Sequence, residues 1–149
     1  MMPLLEMQIG DQVIRYDREA TAAIYANMKS GWAEPCGCKG CKNLIAQRDV
    51  AYPPSFRALL ETLGIDPDKE AETIENGPLE NGLHHYEGWF HFVGEVVVAG
   101  GNNVHAADSP YFEYFVGTTG AGSPGFRGKE YVAIEFMTHL KWVLEESPT

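Results

Sequence analysis

The chain lacks any apolar run close to the ~20 residues that a membrane-spanning helix requires, so no helical span is expected. It lacks a basic excess: Lys and Arg total 11 against 21 Asp and Glu, a formal charge of −10 over 149 residues. A chain of that balance does not hold phosphate backbones by counterion release, which argues against nucleic acid as a partner. It has only three cysteines. An odd count in a chain without secretory features argues against a disulfide framework. The start, Met1-Met2-Pro3-Leu4-Leu5-Glu6, has neither a basic region nor a long apolar stretch, so no leader and a cytoplasmic location are expected. Hydrolase, zinc-protease and phosphate-loop motifs (G-x-S-x-G, H-E-x-x-H, G-x-x-x-x-G-K-[ST]) are absent. Gly120-Ala121-Gly122-Ser123-Pro124-Gly125 is glycine-rich, but its proline and the lack of a following helix signal argue against a phosphate cradle.

What is present is an ordinary globular composition, 44% hydrophobic and 21% charged. The length suits a single domain over residues 1–149. Charge is unevenly placed. Residues 1–50 hold six acids and six bases, whereas residues 51–100 hold nine acids against Arg57 and Lys69. The acidic stretch reads as a solvated face, with a cation or basic-partner surface as the sharper alternative.

Hydrophobic patterning predicts a hairpin over Leu5–Tyr16, turning at Gly10-Asp11. Asp17 is placed to cap a helix over residues 18–29, with Gly31 as its stop. Residues 31–38 read as a Gly/Pro/Cys loop. A second short helix opens near Lys39, and Pro53-Pro54 starts a third that stops at Gly64. Strands are predicted near 71–74, 83–98, 111–116 and 131–138, and residues 117–128 as a long loop. Trp142, Val143 and Leu144 are expected to dock the C-terminal segment on the core. The result is an α+β chain: an N-terminal hairpin and three short helices packed on a mostly antiparallel sheet.

The main chemical feature is Cys36-Gly37-Cys38-Lys39-Gly40-Cys41. Thiolates are soft ligands, and the C-x-C-x-x-C spacing lets three reach one ion from a turn and the first turn of a helix. Lys39, Lys42 and Arg48 lie nearby in sequence, where positive charge and a helix N-terminus favour thiolate. Three thiolates around Zn²⁺ leave one negative charge for the lysines to offset. The fourth ligand must come from a histidine, an acid, water or another chain. Three readings compete: a zinc site, dithiol exchange through Cys38 and Cys41, and free buried cysteines. Against exchange, the usual context places a strand directly before C-x-x-C, and here a helix and a loop precede it.

A second unusual segment is Leu83-His84-His85-Tyr86-Glu87-Gly88-Trp89-Phe90-His91-Phe92. In an extended strand His85, Glu87, Trp89 and His91 share one face. That face offers ligand chemistry, and His85 or His91 could complete the cysteine site if the helix packs over the strand. Hydrogen-bonded packing histidines are the plainer alternative.

Cys36-Gly37-Cys38 with Cys41 and Asn43, then Leu63-Gly64-Ile65-Asp66-Pro67, Gly88-Trp89-Phe90-His91-Phe92-Val93-Gly94, Glu135-Phe136 and Trp142-Val143-Leu144, together resemble a family of uncharacterised bacterial proteins. The resemblance runs over nearly the whole chain. It implies a bacterial, cytoplasmic, single-domain protein and carries over no catalytic residues. The combined expectation is a non-enzymatic, zinc-stabilised module that binds a protein or small molecule. Cys36, Cys38 and Cys41 are its metal ligands, His85 or His91 the fourth, and Glu87 and Trp89 its binding residues. The alternative is a thiol–disulfide exchange protein using Cys38 and Cys41.

Overall fold

The computed structural model describes residues 4–148. Met1, Met2 and Pro3, the first half of the Met1–Glu6 stretch behind the expectation of no leader, lie outside the described residues, as does Thr149.

Alternating apolar side chains around the Gly10-Asp11 turn form β1 (Leu5–Ile9) and β2 (Gln12–Tyr16), with Leu5 opposite Tyr16. Asp17 caps α1 (Arg18–Asn27), its Oδ1 accepting from the Ala20 N–H at 2.9 Å. The helix ends short of Gly31. Lys69 Nζ donates to the carbonyls of Tyr25 at 2.7 Å and Met28 at 2.8 Å, so a distant cation satisfies the helix end. Gly31 serves a close approach instead: a Cβ there would sit 2.5 Å from the Lys69 backbone.

The expected loop holds one helical turn, α2 (Ala33–Cys36). It is followed by α3 (Lys39–Ala46) and a second short turn, α4 (Arg48–Ala51). Four residues are too few to show a periodic stripe, which is why these two turns are invisible in the pattern. α5 (Pro54–Leu63) begins at the proline pair, and the Asp108 carboxylate caps it from a distant loop by accepting the Ser55 N–H at 2.8 Å. Gly64 ends it in the left-handed conformation, and the Ile65 N–H folds back to Leu60 O at 2.9 Å.

The remaining strands are β3 (Glu72–Pro78), β4 (His84–Val98), β5 (Val104–His105), β6 (Glu113–Gly117) and β7 (Tyr131–Leu140). They join the hairpin in the order β1-β2-β4-β7-β6-β5, with β3 also on β4. Every pairing is antiparallel, so the fold is α+β as the pattern predicts. β4 is the spine. Its first stretch pairs with β3, its last with β2, and residues 84–93 pair with β7. The sheet curls back on itself: the Gln12 side-chain amide bonds both N–H and C=O of Val116 on β6, at 2.9 and 2.8 Å.

Helices α1 and α5 cover the apolar face of this sheet. Tyr52, Phe56, Phe90, Phe112 and Phe136 form its aromatic centre, with Phe56 and Phe112 ring centroids 4.6 Å apart. Leu44, Ala51, Tyr86 and Leu140 make a smaller cluster beneath α3. The C-terminal segment does not dock by a buried apolar run. Val143 is exposed, and its N–H donates to Asn43 Oδ1 at 2.8 Å, while the Trp142 ring lies 5.0 Å from His84.

Glu70 is fully buried, and its carboxylate is the hub of a polar network. Arg48 donates to it from Nε at 3.1 Å and Nη2 at 2.7 Å, and the Tyr52 hydroxyl donates at 2.5 Å. The guanidinium also forks onto Glu34 of α2 at 2.7 and 3.1 Å. Arg48 therefore faces these acids and adds no positive charge to the thiols. The Glu34 carboxyl is held below its ordinary range by the Arg48 hydrogen bonds. Removing the arginine leaves a buried carboxylate without its cation. Arg48→Met should cost about 3–5 kcal/mol in urea unfolding, and Arg48→Met with Glu70→Leu should recover part of that loss.

Candidate metal centre

The cysteine loop is shaped by its glycines and by the helix that follows. Gly37 turns the chain left-handed, at φ 64°, between α2 and α3. Cys38 then takes the N-cap position of α3, its Sγ accepting the Cys41 N–H at 3.3 Å. Gly40 lets α3 lie directly on β3, since a Cβ there would stand 2.8 Å from Glu75 Cβ. Three tethers fix the helix in place. The Tyr86 hydroxyl donates to Gly40 O at 2.8 Å. Asn43, fully buried, donates to the Tyr86 hydroxyl at 3.1 Å and to Lys141 O at 3.0 Å.

This geometry brings all three sulfurs within 4.8 Å of one another, a group that could hold a metal ion. All three thiols are free. Cys36 and Cys38 are exposed, while Cys41 is buried with its Sγ 3.6 Å from Thr73 Oγ1. The two thiols of the C-x-x-C pair are electrostatically unlike. Burial pushes Cys41 up to about 12. Burial also works against the Cys38 thiolate, but the Cys41 N–H and neighbouring hydrogen bonds outweigh it and bring that thiol below its ordinary value. Lys39 donates to Ser147 O at 2.9 Å and Lys42 lies 3.9 Å from Glu146, so both lysines also hold the C-terminal segment against α3.

The histidines of β4 do not join this group. Tyr86 reaches α3, so by strand alternation His85 and Glu87 lie on the opposite face. There His85 Nε2 is 3.5 Å from Glu87, and its ring is 5.3 Å from that of His139. His91 is buried farther along the strand, its Nε2 2.8 Å from Thr119 O. Trp89 is half-buried beside Gly120, where a Cβ would fall 2.8 Å from the indole Nε1. Among the described residues no fourth side chain completes a group with the three sulfurs. The side chains around the site that the pattern does not single out are Thr73, Glu75 and Tyr86. Glu75 Oε1 is already held by the Gly77 N–H at 2.7 Å and by His84 Nδ1 at 2.9 Å. Asn43 lies within the resemblance motif, two residues after Cys41, and that position is the one signal that marks it.

Among the described residues no helix is long and apolar enough to cross a membrane. No family model, curated protein or solved structure matches the chain.

The unlike thiols give a kinetic prediction. In native metal-free protein at pH 7, iodoacetamide should label Cys38 roughly tenfold or more faster than Cys41. As pH falls below 8, Cys38 labelling should decline later than that of a model thiol, because its thiolate persists to lower pH. Peptide mass mapping over time reads both effects, and a buried Cys41 that labels first contradicts the geometry.

Proposed function

We propose that the chain is a zinc-binding module in which Cys36, Cys38 and Cys41 supply three thiolates. The observation that supports this is the convergence of all three sulfurs in one turn. Zinc bonds to thiolate at ~2.3 Å in tetrahedral sites, and the Gly37–Gly40 turn supplies donors from both ends of a short arc. The ion would pin α2 to the start of α3. Its fourth position would go to water or to a donor outside the described residues. The module's role is binding or interaction with a protein or small molecule rather than catalysis, in a reducing cytoplasm where free thiols persist.

A second reading is favoured by a different observation, the contrast between exposed, acidified Cys38 and buried Cys41. In that reading the Cys38 thiolate attacks a substrate disulfide and releases one substrate thiolate. Cys41 then loses its proton and displaces the second, leaving a Cys38–Cys41 disulfide that an external dithiol must reduce.

Elemental analysis of freshly purified protein, paired with thiol titration, separates the two. The zinc reading expects about one ion per chain, lost on Cys38→Ser or Cys41→Ser. Absence of stoichiometric metal from protein whose three thiols all titrate once it is unfolded would sink it. Zinc affinity should also rise with pH, about tenfold per unit for each proton released, because the Cys41 proton must leave on binding.

A further inference from the structure

The cysteine turn gathers three sulfurs within 4.8 Å of one another, and among the described residues no fourth side chain completes the group. The oxygen-bearing side chains around it are engaged. Thr73 Oγ1 lies 3.6 Å from Cys41 Sγ, the Tyr86 hydroxyl donates to Gly40 O and accepts from Asn43, and Glu75 Oε1 holds the Gly77 N–H and His84 Nδ1. The triangle is also one-sided. Cys41 is 3% exposed and forms its base, whereas Cys36 and Cys38 are exposed. An ion arriving from solvent therefore meets sulfur on its protein side only.

Charge narrows the choice of ion. The chain carries a formal −10. The cations close to the turn in sequence are already engaged: Lys39 with Ser147 O, Lys42 with Glu146, and Arg48 with Glu34 and Glu70. An anionic complex held against buried Cys41 is costly without a compensating cation. A ligand that leaves all three sulfurs in a neutral complex avoids that cost.

We propose that Cys36, Cys38 and Cys41 together bind trivalent arsenic, delivered as its neutral hydroxide, through three arsenic–sulfur bonds. Thiols suit soft ions, and trivalent arsenic takes three donors in a pyramid with its lone pair in the fourth direction. Three arsenic–oxygen bonds break and three arsenic–sulfur bonds form. Each thiol proton leaves with a hydroxide as water. Arsenic stays trivalent, no electron is transferred, and the charge is zero before and after. The lone pair points to solvent, on the side away from Cys41. This binding uses the sulfurs of the zinc reading but requires neither zinc nor a fourth ligand.

The test uses full-length protein, reduced and metal-free, titrated with sodium arsenite. Native mass spectrometry should show one arsenic gained and three hydrogens lost per chain. A near-ultraviolet sulfur-to-arsenic absorption should saturate at the same point. Phenylarsine oxide, whose arsenic has only two exchangeable positions, should displace two hydrogens and serves as the reference adduct. Cys36→Ser, at an exposed position, should weaken arsenite about tenfold or more and leave a two-sulfur adduct that keeps a hydroxyl. Cys38→Ser should do the same, and serine there preserves a cap on α3. No adduct, a two-sulfur adduct in the unaltered chain, or equal affinity after Cys36→Ser would each overturn the proposal. A separate zinc titration keeps the two readings apart. A three-sulfur arsenic adduct on a chain that takes up no zinc supports this proposal and sinks the zinc reading alone.

Discussion

The Lys69-Glu70-Ala71 link is the constraint on which the arrangement rests. Its three residues tie three elements. The Lys69 ammonium closes the end of α1, the Glu70 carboxylate gathers Arg48 and Tyr52, and the Ala71 N–H donates to Trp89 O at 2.9 Å to open β3. Glu70 also accepts the Trp32 N–H through its carbonyl at 2.8 Å. A carboxylate taken wholly out of water is costly, and only several charge-assisted hydrogen bonds with good geometry offset that cost. Their geometry in turn dictates where α4 and α2 can sit. Glu34 completes the second side of the guanidinium, so α2 and its terminal Cys36 follow from the same carboxylate.

The cysteine turn inherits its order from this scaffold and from a second set of tethers. Asn43 and Tyr86 hold α3 to β4 and to the chain leaving β7, and Gly40 removes the side chain that would lift the helix off β3. The thiols are therefore presented at a fixed helix start. The backbone N–H groups there stabilise negative sulfur at Cys38, while depth in the protein opposes it at Cys41. One short peptide thus carries two thiols with opposite tendencies, a property equally useful to an ion that must be gripped and to a pair of sulfurs that must exchange.

Much of the architecture was legible in the chain before folding. The hairpin, the Asp17 cap, the proline start and glycine stop of α5, and the long β4 all follow from local signals: period-two alternation, a capping side chain and backbone punctuation. The places where local reading fell short share a cause. Gly31 looks like a helix stop and is instead a contact point with the 69–70 backbone, because Lys69 closes α1. The turns α2 and α4 are too short to carry a period. Trp142 and Val143 look like a buried anchor, yet Asn43 holds the backbone beside them.

At the site the division is sharper. The C-x-C-x-x-C spacing by itself determined that three soft donors converge, because six residues around a glycine turn cannot spread them far. The strand period by itself put His85, Glu87, Trp89 and His91 on one face. Only the tertiary structure decided that this face turns away from the thiols, since it is Tyr86, on the other face, that meets α3. Likewise, only packing could leave His91 Nδ1 and Ser123 Oγ buried without a hydrogen-bond partner. Local sequence encodes what neighbours along the chain can reach. Which face of one element meets which face of another is settled by the whole core at once, and the chemistry between segments depends on that.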